Sequence, residues 1–398
     1  MSRQPLRIAA IGMRGIPSNY SGIERGSENL YSILAERGHQ VTIYCRPECL
    51  STPVDVYRGM RLVRTPALDS RSAGTVSHVC SSFLHAIATR GYDIIQLHAL
   101  AAGLFAPLKY LTSASVVAKI HGLDWQRAKW KGIGSKVLLQ GERSIARHLD
   151  DIIVVSRQLE SYFRDRYSRA TSYIPNGVKD MDAAPLGKST VLADFGLTSG
   201  EYIAYIGRLD PGKRVEDLIH AFRHLPKKWK LAIVGEGRYA DDYVSKLQQL
   251  AAGDPRIVFT GLQGGSDLWT LFRQAAVFVS PSESEGLPNS LLECMAHGTP
   301  AIVSDIPPHR EILGPVDGYG LFVRPGDVLQ LQARLGQVLQ DKEHHLQIAR
   351  RAQSYVRASY SWQRSAEATE SLYYAAASRS RLRALGRVER KLAAPEAR

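Results

Sequence analysis

The sequence predicts an α/β protein built as two doubly wound, parallel-sheet domains. Its 398 residues are long for a single α/β core, and 44% hydrophobic residues supply enough apolar surface for two. Short apolar runs alternate with helical patterns along the whole chain, as strand-helix-strand units require. The alternation also restarts after the polar stretch 179–190.

The elements follow in order. Residues 6–12 (L-R-I-A-A-I-G) read as the first buried strand. The loop G-M-R-G-I-P-S-N-Y-S-G-I-E comes next, with Gly12 and Gly15 for tight turns. Ser21 and Glu24 form a capping-box pattern for a helix over 22–37 that turns Ile23, Leu30, Ile33 and Leu34 inward. A glycine loop after a strand lets the backbone approach a phosphate, although many nucleotide-binding folds share it. Strands follow at 41–45 and 60–63, with a helix over 75–88. The strand 92–97 (Y-D-I-I-Q-L) delivers His98 to its carboxyl end, and the strand 115–120 ends at H-G-L-D-W-Q-R-A-K-W-K-G. Residues 151–155 form the last strand of the first half, which closes at 173–178. This places a first domain at 1–178, a second at 179–360, a helix at 361–378 and a basic tail at 379–398.

In the second half, the strand 202–206 leads into Arg208 and Lys213. A planar fork and a point charge five residues apart after a strand suit a pyrophosphate. Strands at 231–234 and 257–260 follow, the latter ending in Gly261 and Leu262. Residues 277–279 read as a strand, Pro288 suits the first helical position of a helix to about residue 297, and 301–303 resume as a strand. Glu285 and Glu293 frame the intervening loop, at the strand end where open α/β sheets bind ligands. The backbone N–H groups of Gly286, Leu287 and Asn289 face an anion brought to that helix start. Two acids beside such a loop suit the hydroxyls of a sugar. Residues 304–312 (S-D-I-P-P-H-R-E-I) read as a loop before a short strand, and helices fill 327–358.

Composition narrows the partners. Cys45, Cys49, Cys80 and Cys294 make no disulfide framework, and no second Cys/His pair joins Cys45 and Cys49, so a reduced cytoplasmic setting and no metal are expected. No charged-then-apolar leader opens the chain, and the longest apolar run, 99–108, reaches about half of a membrane span. The net charge of +13 divides into +10 over 1–178, −1 over 179–360 and +4 over 361–398. That excess favours an anionic partner on the first domain, with an anionic membrane surface as the candidate rather than nucleic acid. Arg127, Lys129, Lys131, Lys136, Arg143 and Arg147 would supply the cations, with Trp125 or Trp130 as an interfacial anchor.

The stretch P-S-E-S-E-G-L-P-N-S-L-L-E-C-M-A-H-G-T-P, with Glu285 and Glu293 separated by seven residues, resembles the signature of retaining GT-B glycosyltransferases of glycosyltransferase family four. The likeness reaches to about residue 378, and H-G-L-D-W-Q-R-A-K-W-K-G resembles a subgroup that builds bacterial capsule, exopolysaccharide or O-antigen. The resemblance implies two Rossmann-like domains facing across a cleft, and a hexosyl or deoxyhexosyl group moved from a nucleotide sugar to a glycan or lipid-pyrophosphate-linked acceptor. No further cofactor is implied, and UDP, GDP and dTDP stay open as the carrier.

By that resemblance Glu285 and His98 meet the donor sugar, and Arg208, Lys213, Gly15, Gly22, Gly286 and Leu287 the diphosphate. Glu293, Gly261 and Leu262 fall to the ribose and base, leaving Tyr20, Glu24, His121, Asp124, Trp125, Arg127 and Lys129 for the acceptor side. The chain departs from the family where Ser21-Gly22 stands in place of a Gly-Gly pair. Two other classes remain: a sugar-nucleotide epimerase or NAD-dependent dehydrogenase, although G-x-G-x-x-G is not present at Gly12, and a non-catalytic sugar-nucleotide-binding protein.

Overall fold

The structure is a computed structural model that describes residues 4–17, 22–49, 54–70, 73–126, 132–179, 189–237, 241–314 and 318–392. It divides into two compact units, residues 1–175 with 362–398, and residues 176–361. Tyr20, Arg127, Lys129, Trp130 and Lys131 lie outside the described residues.

The first unit holds β1 (Arg7–Ile11), β2 (Gln40–Cys45), β3 (Val56–Tyr57), β4 (Met60–Arg64), β5 (Ile94–His98), β6 (Ser115–Ile120), β7 (Asp151–Val154) and β8 (Ser172–Tyr173). They pair in the order β3-β4-β2-β1-β5-β6-β7-β8. Every pairing is parallel except β3 with β4. The chain builds outward from β1 on one side, then returns to lay β5 on the other, so β1 and β5 flank the switch point of the sheet. β1 shows why these sequences form strands: Ile8, Ala9, Ala10 and Ile11 are all fully buried, as expected where helices cover both faces of a parallel sheet. Gly12 leaves β1 at φ 101°, and a Cβ there would stand 2.1 Å from the carbonyl oxygen of His98, so only glycine permits this approach.

The second unit holds β9 (Tyr202–Ile206), β10 (Lys230–Val234), β11 (Ile257–Gly261), β12 (Val277–Ser280), β13 (Ala301–Ser304) and β14 (Leu321–Val323). The order is β11-β10-β9-β12-β13-β14, all parallel, which puts the switch point between β9 and β12. Its core joins Ile203 and Tyr205 of β9 to Leu218, Phe222, Leu231, Ile233, Leu335 and Val338.

The structure corrects several expectations. The stretch read as a loop at 304–312 contains a helix, Pro307–Leu313. Its paired prolines occupy the first turn, where a missing N–H costs nothing. The helix of the signature spans Asn289–Ala296 with Pro288 at its N-cap rather than inside it. Ser21 of the expected capping box lies outside the described residues; the Glu24 carboxylate accepts the backbone N–H of Arg14 at 3.2 Å, tying the helix Gly22–Glu36 back to the glycine loop.

The final helix does not stop near 378 to leave a separate tail, because it runs Trp362–Leu392. It buries Trp362, Ala366, Tyr373, Ala376 and Ala377 in the core of the first unit. Past residue 378, Arg379 pairs with Asp151 at 2.6 Å and Arg381 with Asp93 at 2.6 Å, two strand-end acids that hold the extension down.

Candidate functional site

In the second unit, the sequence-predicted residues converge on the carboxyl ends of the two switch-point strands. The loop after β9 turns through a short 3-10 helix, Pro211–Lys213, and the backbone N–H of Glu283 donates to Gly212 O at 3.0 Å, joining it to the loop after β12. Across that join Lys213 Nζ donates to Glu285 Oε1 at 2.5 Å, with the two side chains 17% and 11% exposed.

Burial alone would raise the Glu285 pKa. The Lys213 charge, the nearby His309 and hydrogen bonds from Lys213 and Ser282 outweigh it and hold the carboxyl below its usual range, so Glu285 is ionised at neutral pH. Arg208 takes Asp210 as its partner at 3.3 Å and stays 40% exposed. The Tyr205 hydroxyl beneath this loop donates to Arg208 O at 2.7 Å, and burial, then the charges of Asp210 and Glu285, drive its pKa well up.

Gly286 and Leu287 are buried in the turn that precedes the helix Asn289–Ala296, and Glu293 lies one turn into that helix, half-buried. At the helix start Asn176 Nδ2 donates to Asn289 Oδ1 at 3.0 Å. Gly261 ends β11 at φ 69°, its carbonyl accepting the N–H of Gly235 at 2.9 Å, and Leu262 beyond it is 43% exposed. Lys213 and Glu285 are thus joined directly, and Arg208, Glu293, Gly261 and Leu262 stand at the same sheet edge.

His309, Ser282 and Ser304 were not anticipated. Ser304 ends β13, and its hydroxyl donates to Ser282 O, bridging the ends of β12 and β13. His309 is fully buried, and its Nδ1 lies 2.7 Å from Ser304 O. A carbonyl only accepts, so Nδ1 carries the proton and Nε2 the lone pair. The one signal in the sequence was a histidine shortly after a buried strand, and the adjoining prolines concealed the helix that carries it.

In the first unit, the structure corrects the role expected of His98. Its ring is fully buried: Nε2 lies 2.8 Å from the Tyr31 hydroxyl and 3.3 Å from Gln96 Nε2, and Nδ1 lies 3.1 Å from His121 Nε2. The Tyr373 hydroxyl in turn donates to Gln96 Oε1. Burial, with the Lys119 charge second, pushes the His98 pKa down to about 3, and burial pushes Lys119 down to about 8. His98 is therefore a neutral core histidine. The ring that follows it outward is His121, half-buried at the end of β6 and stacked on His98 with centroids 5.4 Å apart. The alternation Q-x-H in β5 signalled a polar face in a buried strand; the partners on that face come from distant segments.

Gly15 lies in the loop after β1 at φ 152°, Gly22 opens the following helix, and Glu24 is buried and engaged by the loop backbone. Asp124 and Trp125 form a 3-10 turn, Asp124–Gln126. Trp125 does not reach outward as an interfacial anchor. Its indole N–H donates to Glu142 Oε2 at 2.8 Å, and this fully buried carboxylate also accepts from Tyr162 at 2.7 Å and Tyr167 at 2.6 Å. On the helix Ile133–His148, Lys136, Arg143 and Arg147 lie along one exposed stripe. Among the described residues no helix is long and apolar enough to cross a membrane, and no group of three or more His, Cys, Asp or Glu side chains could hold a metal ion.

Comparison with known proteins gives the family. The family model "Glycosyl transferase 4-like domain" matches residues 21–177, and "Glycosyl transferases group 1" matches residues 194–355. The chain is 30% identical over 176 residues to the O-antigen chain mannosyltransferase B of Escherichia coli, a match spanning 43% of this chain and 44% of that relative. Its fold matches that of sucrose-phosphate synthase from Thermosynechococcus elongatus with a TM-score of 0.81 at 24% identity, covering 94% of this chain and 98% of that one. It also matches Anabaena HepE in complex with UDP-glucose with a TM-score of 0.74 at 18% identity, covering 92% and 99%. The chain therefore belongs to the glycosyltransferases of the GT-B fold and is related to those of bacterial polysaccharides.

Proposed function

We propose that the protein is a retaining glycosyltransferase that moves a hexosyl or deoxyhexosyl group from a nucleotide diphosphate sugar to an acceptor hydroxyl of a growing or lipid-linked surface glycan. The observation that carries this reading is the Lys213–Glu285 pair at the β9/β12 switch point, with Glu293 one helical turn beyond. A cation at the carboxyl end of the switch-point strands suits the diphosphate, and Arg208 adds a fork-shaped donor on the same loop. Glu285 orients the sugar hydroxyls, Glu293 takes the ribose, and Gly261 with Leu262 border the base. HepE, which shares the fold, is a protein whose structure contains UDP-glucose, and that supports a donor of the same class here.

The acceptor oxygen attacks the anomeric carbon on the face that the diphosphate leaves. The bond from carbon to diphosphate oxygen breaks, and the acceptor proton passes to the departing phosphate. Lys213 and Arg208 stabilise the charge that develops on that leaving group. In the first unit the role expected of His98 passes to His121, whose ring reaches the strand end. The exposed stripe Lys136, Arg143 and Arg147 supports an anionic acceptor or membrane surface on this unit, with reversible peripheral docking in the cytoplasm.

The test is turnover of a panel of UDP, GDP, ADP and dTDP sugars by the full chain, followed by transfer to lipid-pyrophosphate saccharides. Transfer or slow hydrolysis of one donor with retention at the anomeric carbon is expected. Binding without turnover across the panel would make the protein a non-catalytic binder.

A further inference from the structure

Glu285 occupies an unusual position. Its carboxylate is nearly buried, and its one cationic hydrogen-bond partner among the described residues is Lys213 at 2.5 Å. Under the donor reading, on which this inference rests, the same Lys213 must turn to the diphosphate. A buried carboxylate that loses its cation either takes up a proton or needs another positive group.

One side chain is built to supply it. His309 is fully buried, its Nδ1–H is fixed on Ser304 O at 2.7 Å, and its Nε2 is buried with no hydrogen-bond partner among the described residues. Ser304 bridges by its hydroxyl to Ser282 O, and Ser282 hydrogen-bonds Glu285, so ring and carboxylate share one polar cluster. The charges that act on the ring are Glu285, which favours its protonation, and Lys213, which opposes it. On the ring's own helix Arg310 is paired with Asp305. With Lys213 in place the ring is neutral, its pKa pushed down to about 4 chiefly by burial.

We propose that His309 is the replacement cation: as the donor diphosphate draws Lys213 away, Nε2 takes one proton from solvent, and the resulting imidazolium keeps Glu285 ionised against the sugar. The lone pair of Nε2 becomes an N–H bond and the site gains one positive charge. The diphosphate thereby recruits its lysine without neutralising the carboxylate that orients the sugar.

The experiment follows the His309 ring by NMR in the full-length protein, with ring-labelled histidine, across pH 4–8. The wild type should titrate near its depressed value. The Lys213→Met protein, which removes the cation with His309 intact and without any ligand, should titrate at least one pH unit higher. Calorimetry of UDP-glucose, or whichever panel donor binds, in buffers of different ionisation heat should show proton uptake on binding at pH 6 in the wild type and none in His309→Gln. A nucleotide sugar is used because its diphosphate has no titration near neutrality.

An unchanged ring titration in Lys213→Met, or proton uptake that persists in His309→Gln, would overturn the proposal and assign the proton to Glu285. If Lys213→Met binds the nucleotide sugar as tightly as wild type, it is the donor reading that fails.

Discussion

The two switch points are built alike and charged differently. In each unit a central strand hands a glycine-bearing loop to the sheet edge, after β1 in the first and after β9 in the second. In the first unit His121 stands at the strand end over a buried cluster of Tyr31, Gln96 and His98, with His98 kept neutral by burial. In the second it is lined by an ionised acid and a lysine bonded at 2.5 Å. The same topology thus carries an uncharged cluster at one strand end and an ion pair at the other. The difference arises from a few side chains at strand ends rather than from the fold.

The largest expected effect comes from breaking the charged edge. Lys213→Ala should slow transfer by on the order of a hundredfold or more, as loss of a positioned charge donor does, and Arg208→Ala should act in the same direction. Steady-state kinetics on folded protein checks this, and activity within a few-fold of wild type would remove the residue from the site. Glu285→Ala should lower kcat more than it raises KM, because its sugar contact strengthens as the bond breaks.

Breaking the neutral edge should show in stability first. His98→Leu removes the ring that Tyr31, Gln96 and His121 all meet in a buried cluster, at a cost of about 1–3 kcal/mol. Chemical denaturation measures it; a loss below about 0.5 kcal/mol would mean that the cluster is satisfied by other groups. Because the folded His98 pKa of about 3 lies below the unfolded value, the unfolded state binds its proton first. Its contribution is present above the unfolded pKa and is lost as pH falls through that value toward about 3. His98→Asn should therefore flatten the acid side of the stability profile.

The Lys213–Glu285 pair acts in the same sense but lower. The depressed Glu285 pKa makes its contribution full above the ordinary carboxylate value and lost as pH falls through the folded one. The smallest effect belongs to the surface of the final helix, where Glu370 meets Arg37 at 2.8 Å and His39 at 3.0 Å. Glu370→Gln should cost about 0.2–1 kcal/mol.

The strands that carry both edges were legible because buried parallel strands read as apolar runs, and residues 202–206 were placed as found. That Arg208, Lys213, Glu285 and Glu293 share one sheet edge was legible because their spacing is local, within loops that the edge gathers. What was hidden depends on distance along the chain. Which of His98 and His121 reaches the strand end is decided by Tyr31 and by Gln96, itself held by Tyr373, 277 residues later. Trp125 looked like an interfacial ring until the buried carboxylate of Glu142, on another helix, claimed its N–H. His309 was hidden for a local reason: two prolines that read as a loop instead open a helix.

The claim that the second unit's edge holds the donor is tested most directly by nucleotide affinity. Binding of nucleoside diphosphate and nucleotide sugar should be measured by calorimetry on the full chain for wild type, Glu293→Ala, Lys213→Ala and His121→Ala. The account predicts that Glu293→Ala and Lys213→Ala each weaken nucleoside diphosphate binding by about tenfold or more, the loss of one charge-assisted hydrogen bond. His121→Ala should leave that affinity within about twofold while lowering turnover. Unchanged affinity in both second-unit variants, with loss of binding in His121→Ala, would contradict it.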